Sequence, residues 1–338
     1  MSATPFALEP LFFTRLLKEK VWGGQVLTER FALQPDFDGP LGETWELSDY
    51  PGEETAVRGG AHDGHSLRAL MEAHAEALLG DSKPTVDGRF PLLVKFIDAG
   101  DDLSVQIHPP DGPKSPTGVG KTEAWYILDR EDGAGVICGL TPGTSRETFE
   151  AEAGDARVRG HLAEVAVEPG DCVMVPAGQT HAIRKGVVLC EVQQTSDVTY
   201  RMYDWDRLSL DGQPRETHLE QALEVVDYAL PPAMPYRATF GSAVASGGLQ
   251  NSVLVSCPYF RLEELRVGGV GGDLRGRGLA QTLSVLRGRG TVSALDGGFE
   301  PRELIPGDTL LLPGALEGVR LAAADDREPL SLLLGVAL

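Results

Sequence analysis

The segment Glu168-Pro-Gly-Asp-Cys-Val-Met-Val-Pro-Ala-Gly-Gln-Thr-His-Ala182 constrains the fold more than any other stretch of the chain. Gly170, Pro176, Gly178 and His181 stand at the spacing G-x5-P-x-G-x2-H. Pro169-Gly170-Asp171 is a turn signal, Cys172 to Val175 is a short apolar strand, and Pro176-Ala177-Gly178 is a second turn. His181 then opens the next strand. Such a hairpin belongs in a small antiparallel barrel and leaves an imidazole at the barrel mouth, where a metal can sit. Read alone, an ordinary hairpin with a satisfied histidine fits as well.

The rest of the chain has the same texture. Its 41 glycines and 23 prolines separate many short apolar runs among 338 residues, which favours a mainly β protein with room for two domains. The net charge of −20 argues against a general nucleic-acid binder, which needs a basic face. It also sets a condition: an anionic ligand needs a local basic pocket to overcome the global field. No apolar stretch approaches membrane-spanning length, and residues 1–10 lack a basic segment followed by an apolar core. Neither a membrane span nor a secretory leader is therefore expected. Cys138, Cys172, Cys190 and Cys257 form no C-x-x-C pair and read as buried, reduced thiols of a cytoplasmic protein.

Helices are expected from Ser66 to Leu79, with Ser66 as N-cap and Gly80 as stop, from Ser145 to Ala153, and from Thr217 to Tyr228. Strands are expected at Leu92–Asp98, Leu103–His108, Ala124–Leu128, Val136–Cys138, Val165–Val167, Cys172–Val175, His181–Ile183 and Val187–Thr195. His62 and His65 read as a solvated turn before the first helix. The break Leu230-Pro-Pro-Ala-Met-Pro235 and the small-residue run Ala243–Leu249 mark a linker, which divides the chain into residues 1–235 and 240–338. The tail carries a faded repeat. Glu303–Gly314 echoes Val167–Gly178 with Pro-Gly-Asp, an apolar strand and a second proline, and Leu283–Arg289 supplies the earlier strand. The place of His181 falls on Gly318, so the second barrel is expected to lack metal ligands.

Three segments bring ligand chemistry to the first domain. Gln106 and His108 share one face of a strand that ends at Pro109-Pro110. Lys121, Glu123 and Trp125 share a face of the next strand, and His181 is the third element. Imidazole and carboxylate around an open position suit a divalent metal such as zinc, with the amide oxygen of Gln106 as a weaker fourth ligand. Glu191, Gln193 and Thr195 lie on one face further on, where polar side chains must be satisfied or used. Arg201 follows among Tyr200, Tyr203 and Trp205, and a structural arginine packed on aromatics reads as well as a functional one.

Taken in order, Lys20–Gly24, Gly42–Trp45, Phe90–Lys95, Gln106–Asp111, Gly120–Tyr126, Val175–Ala182 and Glu191–Arg207 resemble the type I mannose-6-phosphate isomerases of the cupin superfamily, above all their short bacterial form. The likeness runs over residues 6–230; beyond them it is one of architecture. The resemblance implies two cupin-like jelly-roll β-barrels with a few helices inserted in the N-terminal part, the first barrel catalytic and the second degenerate. It implies one zinc ion per chain, held by His108, Glu123 and His181 with Gln106 as the extra ligand, a place where some short members carry lysine. It puts Arg201 on the family's active-site arginine and Trp22, Glu43, Lys95, Lys121 and Glu191 along the substrate pocket. Lys185 departs from the wider cupin pattern, which often has asparagine there.

The implied reaction interconverts D-mannose 6-phosphate and D-fructose 6-phosphate through a cis-enediolate, so the expected ligand is a small sugar phosphate. Such chemistry needs a base, a stabiliser of the developing oxyanion and a phosphate anchor. Glu191 is the candidate base and Arg201 the stabiliser of the enediolate or the aid to ring opening, with Lys95 and Lys121 supplying positive charge. The same residues leave two other classes open. One is a metal-dependent cupin of different chemistry, an oxygenase or a glucose-6-phosphate isomerase. The other is a sugar-phosphate sensor without catalysis.

Overall fold

The computed structural model describes residues 6–240, 248–325 and 327–338. The expected linker run Ala243–Leu249 therefore falls mostly outside the described residues. The chain is mainly β and divides into two compact units. One takes residues 17–45 and 93–236; the other takes 1–16, 46–92 and 237–338 in their described parts.

One boundary between the units falls between Tyr236 and Arg237, and the others fall inside the N-terminal part of the chain. Residues 1–16 and 46–92 cluster with the C-terminal third. The cause is strand pairing. Leu11–Thr14 lies against Thr309–Leu312, with Leu11 opposite Leu311 and Phe12 opposite Leu310, and against Ala56–Val57 on its other side. Phe12 is buried among Leu283, Leu310 and Leu332. An apolar strand is placed by the sheet edge that completes it, not by its neighbours in sequence.

The site-bearing unit is built from two sheets. The first runs, in spatial order, Asp171–Val175, Glu123–Arg130, Val187–Gln194, Leu92–Asp98, Leu41–Leu47 and Leu16–Gly24. The second runs Leu162–Ala166, Gly135–Leu140, His181–Ile183, Val105–Ile107 and Tyr200–Tyr203. Trp125, Ile127, Val173 and Leu189 of the first pack against Val136, Cys138 and Ile183 of the second. The outer face of the second sheet is also covered. Val105, Ile107, Ala182 and Met202 meet Phe149 of helix Arg146–Glu152, Val158 of a 3-10 turn, and Ala222 and Val225 of helix Leu219–Val225. Alternation then does the sorting: if 105, 107, 182 and 202 face the helices, then 106, 181 and 201 face inward.

The other unit repeats the plan. A seven-stranded sheet carries Leu283, Leu310 and Leu332, a four-stranded sheet carries Val292, Val319 and Leu321, and these leucines and valines form one core. The helix Leu67–Leu79 belongs here, and Ser66 caps it by accepting the Ala69 N–H at 3.1 Å. His62 is not solvated as expected. It is buried, stacks on Phe6 at 4.3 Å between ring centroids, and bonds the Ala7 carbonyl through Nε2. None of the four cysteines is in a disulfide; three of them are buried and Cys257 is half-buried.

Candidate metal centre and substrate pocket

Strand register brings the inward-facing residues together. Arg201 and His181 both lie directly opposite Gln106 on its two sides, making one row across the second sheet. On the first sheet Glu123 lies between Val175 and Gln193, and Glu191 lies opposite Trp125 two residues along. His108 follows the strand Val105–Ile107 and is buried.

His108, Glu123 and His181 offer ligand atoms that all lie within 4.8 Å of one another. His108 Nε2 is 3.5 Å from one Glu123 oxygen, and His181 Nε2 is 3.5 Å from the other. The opposite ring nitrogens are engaged: His108 Nδ1 donates to the Val198 carbonyl at 2.8 Å and His181 Nδ1 to the Gln179 carbonyl at 2.9 Å. This sets both tautomers and turns both Nε2 lone pairs inward, as metal-bound histidines require. Burial drives both imidazoles toward the neutral form, His181 to about 4 and His108 well below its usual value. His108 Nε2 is buried without a hydrogen-bond partner, and the buried Glu123 Oε2 has no hydrogen bond beside its ion pair with Lys121 at 3.1 Å. Two neutral donors and a carboxylate converging on one point, with His108 Nε2 buried and unbonded, fit a divalent cation. Gln106 adjoins them, its Nε2 3.3 Å from His181 Nε2, and a half-turn of the amide would present the oxygen instead.

A cavity of about 250 Å³ opens beside this cluster. Gln106, Lys121, Glu191 and Arg201 line it, with Trp22, Glu43 and Lys95. Lys121 Nζ lies 3.1 Å from Glu123 and 3.9 Å from Glu191; Lys95 Nζ lies 3.8 Å from Glu191 and 3.6 Å from Glu43. Burial alone would lower Lys121, but Glu123 and Glu191 more than offset it and hold the ammonium above its ordinary range. Burial alone would likewise raise Glu43, yet Lys95 and Lys20 keep it well below the usual carboxylate range. Glu191 behaves differently. Burial and the nearby charge of Glu123 push it up to about 7. Its Oε2 accepts the Trp125 indole N–H at 3.0 Å, while Oε1 has no hydrogen-bond partner.

The family model for the type I phosphomannose isomerase catalytic domain matches residues 11–142. A mannose-6-phosphate isomerase of Streptococcus mutans is 36% identical over 318 residues, covering 91% of this chain and 94% of its own. The chain belongs to the type I mannose-6-phosphate isomerase family. The crystal structure of the mannose 6-phosphate isomerase from Bacillus subtilis superposes with a TM-score of 0.84 at 30% identity, covering 96% of this chain and 99% of that one. A mannose 6-phosphate isomerase crystallised with zinc and yttrium shares the fold at a TM-score of 0.73 and 15% identity, over 97% and 99% of the two chains.

As in the sequence reading, this member of the isomerase family gathers Gln106, His108, Glu123, His181, Glu191, Arg201, Lys95, Lys121, Trp22 and Glu43 in one place. Sequence reasoning did not name Lys20, Ser104, Asp197, Thr199 or Arg215, which line the same cavity. Lys20 had a signal available, since it opens the Lys20–Gly24 motif; Arg215 sits in a polar loop with none. A larger groove of about 510 Å³ runs along Glu131–Val136 and Glu164–Glu168, but no histidine or buried carboxylate lines it. Among the described residues no helix is long and apolar enough to cross a membrane.

Proposed function

We propose that the chain is a zinc-dependent isomerase that interconverts D-mannose 6-phosphate and D-fructose 6-phosphate through a cis-enediolate. The observation that carries this reading is a half-free, buried Glu191 carboxylate beside a ligand set of two neutral histidines and the Glu123 carboxylate. Gln106, His108, Glu123 and His181 would hold the ion, and a bound dication supplies Lewis acidity toward the sugar oxygens. The donor set favours zinc, and the relative solved with zinc supports it.

The remaining roles belong to the chain. Glu191 takes the C2 proton through Oε1 and returns a proton to C1, and a carboxylate held near neutrality is suited to both halves of that shuttle. Trp125 fixes the other oxygen and so aims the base. Lys121 and Lys95 hold positive charge where the enediolate oxygens form, and Arg201 stabilises the same charge from the facing sheet. Trp22 and Glu43 wall the sugar in, and Trp45 locks Glu43 through a 2.7 Å hydrogen bond from its indole.

The test is a mannose 6-phosphate assay on purified protein with elemental analysis of the same sample. Turnover should vanish on chelation and return with zinc. Metal-free protein with full turnover would end the zinc reading, and no turnover with stoichiometric zinc would end the isomerase reading. Glu191→Gln should lower kcat by about 10²–10⁴-fold. Arg201→Ala should lower kcat with little change in KM, whereas a raised KM alone would make it a binding residue.

A further inference from the structure

Strand alternation puts Gln193 on the inward face with Glu191, directly opposite Glu123. It is fully buried and is not among the side chains that line the cavity. Its amide has a fixed orientation. Nε2 donates to two carbonyls, that of Gln194 at 2.8 Å and that of Ser196. Turned over, the amide would set its oxygen against both carbonyls, so the hydrogen bonds leave one assignment. Oε1 is then buried with no hydrogen-bond partner. A buried amide oxygen left this way is unfavourable, and an apolar side chain of similar length would avoid it. The residue is explained by what its N–H groups hold.

They hold the start of the connection 195–199, which leads from the strand Val187–Gln194 of the first sheet to Tyr200–Tyr203 of the second. The chain bends at Thr195, where the Ser196 N–H returns to the Gln194 carbonyl at 2.7 Å. Ser196 Oγ accepts the Val198 N–H at 3.4 Å, and the Val198 carbonyl accepts from His108 Nδ1 at 2.8 Å. Asp197, between them, accepts from Lys95 at 3.3 Å. Gln193 thus clips a tight turn whose next residues meet a candidate metal ligand and a cavity lysine. The neighbouring Gln194 holds the adjacent strand instead. Its Oε1 accepts the Thr122 N–H at 2.9 Å, and its backbone N–H donates to the Thr122 carbonyl at 3.2 Å. His181 takes its orientation from elsewhere, the Gln179 carbonyl. The two imidazoles are therefore oriented separately, and that of His108 depends on the connection that Gln193 clips.

We propose that Gln193 is a positioning residue for the metal centre. By clipping the Gln194–Ser196 turn it keeps the Val198 carbonyl where His108 Nδ1 donates, and so keeps His108 Nε2 turned toward Glu123. Without the clip the imidazole is free to turn or to change tautomer, and the ligand set loses its preorganisation while every ligand is still present. The inference rests on the metal reading and not on the identity of the sugar.

Zinc titration against a chelator of known affinity tests it, with the ring N–H signals of both histidines followed by NMR on the zinc-loaded protein. Gln193→Met keeps length and burial and removes the donors. It should weaken zinc binding about 10–100-fold. It should also shift the His108 Nδ1–H signal and leave that of His181 in place. Activity should follow occupancy, with kcat low at limiting zinc and within about threefold of wild type at saturation. Gln193→Asn keeps the amide on a shorter stem, should act in the same direction, and carries the test should Gln193→Met fail to fold. A merely structural amide gives another pattern: the metal-free variant melts lower, while zinc affinity and both ring signals match wild type. That pattern overturns the proposal, as do equal shifts at the two histidines. Wild-type protein that binds no zinc ends the metal reading and the Gln193 proposal together. Wild-type protein that binds zinc without isomerising the sugar ends the isomerase reading alone, and the zinc affinity of Gln193→Met then still decides the role of the clip.

Discussion

In the site-bearing unit, Gly170 adopts φ +95° and donates its N–H to the Ile127 carbonyl at 2.9 Å, while Asp171 Oδ2 accepts the Glu168 N–H at 2.7 Å. In the other unit, Gly307 adopts φ +89° and donates to the Val285 carbonyl at 2.9 Å, while Asp308 Oδ2 accepts the Ile305 N–H at 3.0 Å. The strands that follow pair in the same register, Val175 opposite Glu123 and Leu312 opposite Gln281. Gly178 then donates to the His108 carbonyl and Gly314 to the Leu78 carbonyl. The places of His108 and Glu123 are thus filled by Leu78, the next-to-last residue of a helix, and by Gln281, and Gly318 opens the strand that answers to His181–Ile183. Backbone hydrogen bonds and register build this framework, and three side chains decide whether it can hold a metal. The second unit kept polarity at this end: Gln281 Oε1 is buried without a hydrogen-bond partner, and one row over Glu263 is clasped by Arg261 and Arg277, each at 2.6 Å.

The contrast is sharpest in activity. His108→Ala or His181→Ala should lose the bound metal and about 10³-fold or more of kcat/KM, while Gln281→Ala should change neither. Elemental analysis beside the assay checks this, and equal losses in both units would erase the distinction. Next comes stability. Burial alone would raise Glu263, but hydrogen bonds from Arg277 and Asn251 and the charge of Arg261 hold it at about 2. Glu263→Gln should therefore cost about 3 kcal/mol in denaturant unfolding near neutral pH and leave turnover intact. Because the folded pKa lies below the unfolded one, this stabilisation is complete above about 4.5 and is lost as pH falls toward 2. Melting curves of wild type and variant should converge over that window. Smallest is the turn itself. Gly170→Ala and Gly307→Ala should each cost about 1 kcal/mol, since both backbones lie at positive φ. Markedly unequal costs would mean the two turns are alike only in outline.

Much of this was readable in the sequence because it is local. The strands Leu92–Asp98 and His181–Ile183 fall where alternation and flanking turns put them, and Ser66 and Ser145 cap helices through their own hydroxyls. The helices Arg146–Glu152 and Leu219–Val225 are shorter than their periodicity suggests. What escaped depends on distant partners. The short helix Val26–Arg30 has no cap of its own; Asp98, more than seventy residues away, accepts the Val26 N–H at 2.7 Å. His62 looked solvated because the aromatic and carbonyl that bury it, Phe6 and Ala7, lie far upstream. At the site, His108, Glu123, His181, Glu191 and Arg201 announce themselves by motif, whereas Arg215 is brought to the cavity by the fold and held there by Asp204.

The pairing of Leu11–Thr14 with Thr309–Leu312 has a consequence for how the protein is born. A ribosome releases the first of these strands some three hundred codons before the second. At ~5–20 residues per second, that edge waits on the order of tens of seconds for its mate. The residues of the site-bearing unit have all been synthesised by Tyr236, well before then. The strand Leu11–Thr14 is thus among the last to complete its pairing, and in the interval its open edge is exposed to chaperones and to other nascent chains.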